Sequence, residues 1–152
     1  QGDLISFRSP CSLGGSDLNY SKVFCMMNQY LAKNGIDLGL LLIRFGLGLV
    51  FLVHGWVKFS ALGGTVGFFG SLGLPSVIAY LVAAIELVGG GALILGLFTR
   101  VAALGVAVVM VGAMALVKFK AGFLGGYEFD LMLLLAALGI AAAGPGKYSL
   151  RK

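Results

Sequence analysis

The 152 residues are 59% hydrophobic and only 11% charged, with a mean hydropathy of +1.02. A chain this short leaves a large share of its surface exposed, so a soluble globular domain is excluded and lipid is the expected solvent. Eleven Lys and Arg against six Asp and Glu give a net charge of +5, but the cations stand mostly singly beside apolar runs, which speaks for membrane topology and against nucleic acid.

Residues 1–35 read as a polar leader, rich in Ser, Asn and Gly and without the short apolar core of a cleavable signal. It is expected to be poorly ordered or foreign to the native chain, at least through residue 25, since Met26 and Met27 stand just ahead of the apolar part. The expected transmembrane domain, residues 36–152, opens with a span over about 38–59, with Asp37 at the N-cap position. Its 22 residues, at about 1.5 Å each, cover the roughly 30 Å of a bilayer core.

The connection 60–74 carries Gly63, Gly64 and Gly67 beside Val66, Phe68 and Phe69, which suits a short segment lying in the interface. Pro75 and Ser76 punctuate the start of a second span over 77–98. Only Thr99 and Arg100 separate it from a third over 101–117, so the two must be antiparallel neighbours. A Gly-rich connection, 118–128, leads to a fourth span over 129–143. The last two are short and need flanking residues or local bilayer thinning. The fold class is therefore all-α, an integral membrane antiparallel four-helix bundle with a short interfacial segment between helices 1 and 2. Small residues at contact spacing, such as Ala79 and Ala83, Ala92 and Gly96, or Ala137 and Ala141, allow close packing in lipid.

With four spans, seven cations share a side with both termini and three lie opposite, or five against three without residues 1–25. The positive-inside rule then places both termini in the cytoplasm of a bacterial-type inner membrane.

An ionisable side chain within a span costs about 2.5–3.5 kcal/mol on insertion scales and needs a partner, a wet cavity or the interface. Arg44, His54, Lys58 and Glu86 qualify. At 100° per residue Lys58 lies about 40°, and His54 about 80°, from Arg44, one stripe expected to face the bundle. Glu86 falls near mid-membrane at about the height an extended Arg44 reaches, so an Arg44–Glu86 pair is expected, either as a register-fixing ion pair or as a working proton site. His54 and Lys58 end the first helix at the level where Glu128 and Asp130 open the fourth. With the donors Trp56 and Tyr127 they make the best candidate site, a titratable imidazole beside an apolar interior. The competing reading is that Lys58, Glu128 and Asp130 snorkel to the interface and His54 is satisfied locally.

Counting excludes several chemistries. One His and two Cys, Cys11 and Cys25, leave no bis-histidine haem, iron–sulfur or zinc site, so no metal is expected. Gly89-Gly90-Gly91 lies in an apolar helix with no following Lys-Ser/Thr, so it serves packing or a bend and not a phosphate.

In order, Arg44-Phe45-Gly46, His54-Gly55-Trp56-Val57-Lys58, Gly73-Leu74-Pro75, Glu86-Leu87-Val88-Gly89-Gly90, Thr99-Arg100 with Ala102, Tyr127-Glu128 and Gly144-Pro145-Gly146-Lys147-Tyr148-Ser149-Leu150 resemble the DoxX family over about residues 36–150. The resemblance implies a four-helix membrane bundle akin to the membrane subunit of thiosulfate:quinone oxidoreductase and to membrane complexes of redox homeostasis. It carries family landmarks onto Arg44, His54, Lys58, Glu86 and Glu128, whereas Asp130 and Tyr127 come from geometry. The cysteine pair of vitamin K epoxide reductase-like bundles is missing, so dithiol chemistry is not implied.

The leading expectation is a quinone-interacting subunit of a membrane oxidoreductase, without a redox centre of its own, near the outer membrane face. His54 and Glu86 would exchange protons, while Arg44, Lys58, Glu128, Asp130, Trp56 and Tyr127 bind. No covalent cofactor is expected; a quinone is the ligand, and a partner protein carries the redox centre. The alternatives are a non-catalytic accessory or assembly subunit of a larger membrane complex and, more weakly, a proton-coupled carrier, against which the lack of visible inverted repeats argues. A homo-oligomer is left open.

Overall fold

The computed structural model describes residues 18–150. The expectations for the leader up to residue 17, and for Arg151 and Lys152, lie outside the described residues, as do the side chains of Lys22, Cys25 and Lys33. The chain divides into two units at residues 36 and 37. Residues 18–36 are helical throughout, and the second unit holds the bundle.

Helix α1, Leu18–Ser60, contains the first span, followed by the short α2, Leu62–Ser71, then α3, Ser76–Leu95, α4, Thr99–Ala113, and α5, Glu128–Ala143. Asp37 is therefore interior to α1 and caps nothing. Among the described residues four segments are long and apolar enough to cross a bilayer: Asn34–Ser60, Ser76–Leu95, Thr99–Ala121 and Phe123–Ala143. The third and fourth reach 23 and 21 residues because helical turns of other pitch extend them. Met114–Lys118 is π-helical, Phe119–Ala121 is a 3₁₀ turn, and Phe123–Tyr127 is a wide turn that leaves helical geometry at Leu124 and Gly125.

Two helix ends follow glycine chemistry. After α3 the Leu97 N–H reaches Ala92 O and the Gly96 N–H reaches Leu93 O, with Gly96 at φ 72°. This paired closure around a left-handed residue stops the helix three residues before the expected end at 98. The turn is Gly96–Phe98, and Thr99 and Arg100, expected as the connection, begin α4. The same pairing closes α2, where Gly73 is at φ 76°, and the extended Pro75 then launches α3.

The side chains are arranged for lipid. Val88, Val101, Val108 and Met132 point outward, whereas the buried set contains Arg44, Glu86, Thr99 and Asp130 beside Leu47, Phe51, Leu93, Val106 and Ile140. Polar groups inside and apolar groups outside reverse the soluble pattern and match a bilayer, where internal partners must replace water.

The contact of α1 with α3 is glycine-built. Gly48 lies against Gly90 O and Ile94, and Gly55 against the backbone of Glu86 and Leu87. These two glycines are seven residues apart on one helix face, and they set the antiparallel register of the pair. Gly90 in turn meets the backbone of Leu52, so Gly89-Gly90-Gly91 does serve packing.

Candidate functional site

The register places Lys58 opposite Glu86. With Gly55 seated on Glu86 and Leu87, Lys58 is one turn further along α1, and its Nζ donates to Glu86 Oε2 in an ion pair. Glu86 is 2% exposed, while the Lys58 side chain stays partly accessible. The expected Arg44–Glu86 pair does not form. Arg44 lies fourteen residues from Lys58, about 21 Å along the helix at 1.5 Å per residue, and the glycine register sets it beside Gly96 at the other end of α3.

There Arg44, 1% exposed, donates from Nη1 to Pro145 O at 2.6 Å and from Nη2 to Tyr148 O at 2.7 Å. The segment 144–150 crosses this end of the bundle as a strap. Lys147 N donates to Asp37 Oδ1 at 3.0 Å and Leu150 N to Leu95 O at 3.3 Å. Gly146, at φ 70°, lies against Asp37 and Leu40. The guanidinium sits where α3 and α5 both end, and the negative ends of two helix dipoles compensate a cation that has no ion-pair partner among the described residues. Arg44 is thus placed as an architectural residue.

Around Lys58 the surface opens into a groove of about 300 Å³. Val57, Lys58 and Ala61 form one wall, and Gly64, Thr65, Phe68 and Phe69, which share one face of α2, form the other. The Thr65 hydroxyl donates to Lys58 O and Ala61 O, both at 3.1 Å, and ties α2 to the end of α1. Phe68 and Phe69 meet edge to face at 5.8 Å.

Of the stripe expected to face the bundle, Arg44 is buried and Lys58 half-buried, but His54 is exposed instead of turned inward, and it has no hydrogen-bond partner among the described residues. It precedes Val57, Lys58 and Ala61 at helical spacings of three, four and seven and so shares their side of α1 one turn away, outside the residues that line the groove. Trp56, 64% exposed, points away from the bundle.

The remaining predicted residues gather elsewhere, on the hairpin of α4 and α5. Asp130 is buried and pairs with Lys118 Nζ at 2.8 Å. Glu128 Oε1 accepts from Gly125 N at 3.0 Å, and the Tyr127 ring stacks on Phe119 at 6.0 Å and meets Phe123 edge-on at 5.4 Å. The structure therefore brings Lys58 and Glu86 together, with His54 one turn away, and places Tyr127, Glu128 and Asp130 in a separate cluster. Lys118, the partner of Asp130, escaped sequence reasoning as a site residue; its only signal was a cation, with Lys120 two residues on, at the end of an apolar run.

Lys118→Ala is expected to cost about 1–2 kcal/mol, because it leaves Asp130 unpaired while Lys118 itself is half in solvent. Asp130→Asn in the same background should restore most of the loss in detergent unfolding.

Among the described residues no three His, Cys, Asp or Glu side chains stand together as a metal site. What the groove offers is a lysine donor against aromatic and aliphatic walls, with a buried carboxylate paired to that lysine and an exposed imidazole one turn away on α1.

Comparison with known proteins bears on this arrangement. The DoxX family model matches residues 39–119, which include Arg44, His54, Lys58 and Glu86. The chain is 47% identical over 112 residues to "Putative oxidoreductase CatD" of Bacillus subtilis, covering 74% of this chain and 84% of that protein. It is 40% identical over 126 residues to "Uncharacterized membrane protein Rv3486" of Mycobacterium tuberculosis, covering 71% and 76%. To "Inner membrane protein YqjF" of Escherichia coli it is 29% identical over 119 residues, covering 75% and 90%. No solved structure matches. A family match over more than half of a four-span bundle, supported by relatives aligned over most of their own length, gives the assignment: this multi-pass membrane protein belongs to the DoxX family.

Proposed function

We propose that the chain is the membrane subunit of a quinone-linked oxidoreductase complex and that it binds a quinone head group in the groove beside Lys58, near the outer membrane face. The observation that carries this reading is the groove itself, where a lysine paired to a buried glutamate supplies the one charged side chain among the described lining residues. A quinone head is flat and apolar with carbonyl acceptors at its ends, and it needs such a donor set in such a wall. An exposed imidazole on a membrane span is costly unless something polar covers it, and a head group lying along α1 covers His54. The name of the Bacillus relative supports an oxidoreductase setting.

Reduction of a quinone to the quinol takes up two electrons and two protons. In this reading the electrons come from a partner protein carrying the redox centre, and His54 passes protons to the ring oxygen. Both termini face the cytoplasm in this reading, by the excess of cations on their side, and an inner-membrane setting agrees with the name of the Escherichia relative.

The test is binding. His54→Ala is expected to weaken the affinity of the detergent-purified chain for a short-tailed quinone about tenfold, read by fluorescence quenching, while α-helical content is unchanged. Equal affinities for the two proteins would remove the proposal.

A further inference from the structure

The Lys58–Glu86 pair carries a consequence for what the groove accepts. Lysine has three N–H donors, and Glu86 takes one of them, so the ammonium can still donate into the groove. Its charge is already balanced by a carboxylate that is almost fully buried on the far side. The remaining described lining side chains are uncharged, namely Val57, Ala61, Thr65, Phe68 and Phe69 beside Gly64. A ligand therefore meets a hydrogen-bond donor without a net positive charge. Carbonyl oxygens gain the bond at little electrostatic cost, whereas an anion would sit near Glu86 in a low-dielectric wall with one cation shared between two negative groups.

Building on the quinone reading above, we propose that the groove selects a neutral, carbonyl-bearing ring over an anionic one and that Glu86 is the specificity-determining residue, acting through Lys58. Glu86 does not touch the ligand; it sets the charge that the ligand meets. Inorganic oxyanions are excluded on the same ground, and so is any organic acid of the same shape. Removing the carboxylate turns the site into a net cation and moves the preference toward the anion.

The experiment uses two probes of nearly equal shape, a methyl-substituted para-naphthoquinone and its hydroxy-substituted analogue, which is ionised at neutral pH. Both are titrated into the full chain in nanodiscs of zwitterionic lipid. The wild-type protein is expected to bind the neutral ring at least tenfold more tightly than the anion. Glu86→Gln is expected to shift that ratio at least tenfold toward the anion, and the Lys58→Gln, Glu86→Gln double variant should bind both weakly and without preference. If the wild-type chain binds neither probe, the quinone reading itself fails. If it binds both equally, the selectivity proposal is overturned while the quinone reading stands. The wild-type ratio needs no variant to fold, so the proposal is exposed even if Glu86→Gln proves unstable.

Discussion

Alanine at Gly55 is expected to destabilise the bundle by about 3 kcal/mol and to separate Lys58 from Glu86. A methyl group there would overlap Leu87 N and lie 2.7 Å from Leu87 Cα and 2.8 Å from the carbonyl carbon of Glu86. These are backbone atoms, which cannot rotate aside as a side-chain tip can, so α1 and α3 must part. Gly90→Ala should act in the same direction from the opposite helix, where the new methyl would lie 2.7 Å from Gly48 O. The two changes relieve one another once the helices have moved, so the double variant is expected to lose less than the sum. Gly46→Ala is the matched control. Nothing lies within 4 Å of a Cβ at that position, and alanine should be neutral or stabilising by up to about 1 kcal/mol through helix propensity. Unfolding in a graded mixture of mild and denaturing detergent measures all four. If Gly55→Ala behaves like Gly46→Ala, the glycine contact does not set the register.

Arg44→Leu should cost about 3 kcal/mol. Hydrogen bonds from a charged donor contribute roughly 1.5–3 kcal/mol each, and two carbonyls lose theirs. Relief from burying a charge offsets part of this. Arg44→Lys is expected to recover no more than half, since an ammonium lacks the planar fork that reaches two carbonyls three residues apart. The strap supplies a direct readout. In a background with Cys11 and Cys25 replaced by Ser, a Ser149→Cys reporter should react with a maleimide several-fold faster when Arg44 is Leu. Unchanged labelling would mean that Arg44 does not hold the strap.

The four spans were legible because hydropathy depends on the local run of residues, and so was the enclosure of Arg44 and Glu86, because lipid gives a charged side chain few other places to go. Their partners were not. Heights estimated from the ends of hydropathic runs placed Arg44 opposite Glu86, whereas the register is decided by where Gly48, Gly55 and Gly90 let two backbones touch. That contact leaves only glycine as its trace, and the chain has 25 of them. The partners of Arg44 are main-chain oxygens more than a hundred residues away, and no side-chain pattern announces a carbonyl. The joining of Asp130 to Lys118 depended on how far π-helical turns carry α4 past its α-helical end, which composition does not encode.

The strap also orders events during synthesis. Arg44 belongs to the first of the described spans, yet its acceptors are translated more than a hundred residues after it. Until residues 144–150 leave the ribosome, that span must stay in the insertion machinery or in lipid without the two carbonyl oxygens its guanidinium grips. A chain cut short after α5 would carry all five described α-helices and still lack the fastening, its Arg44 Nη groups left without their two carbonyl acceptors.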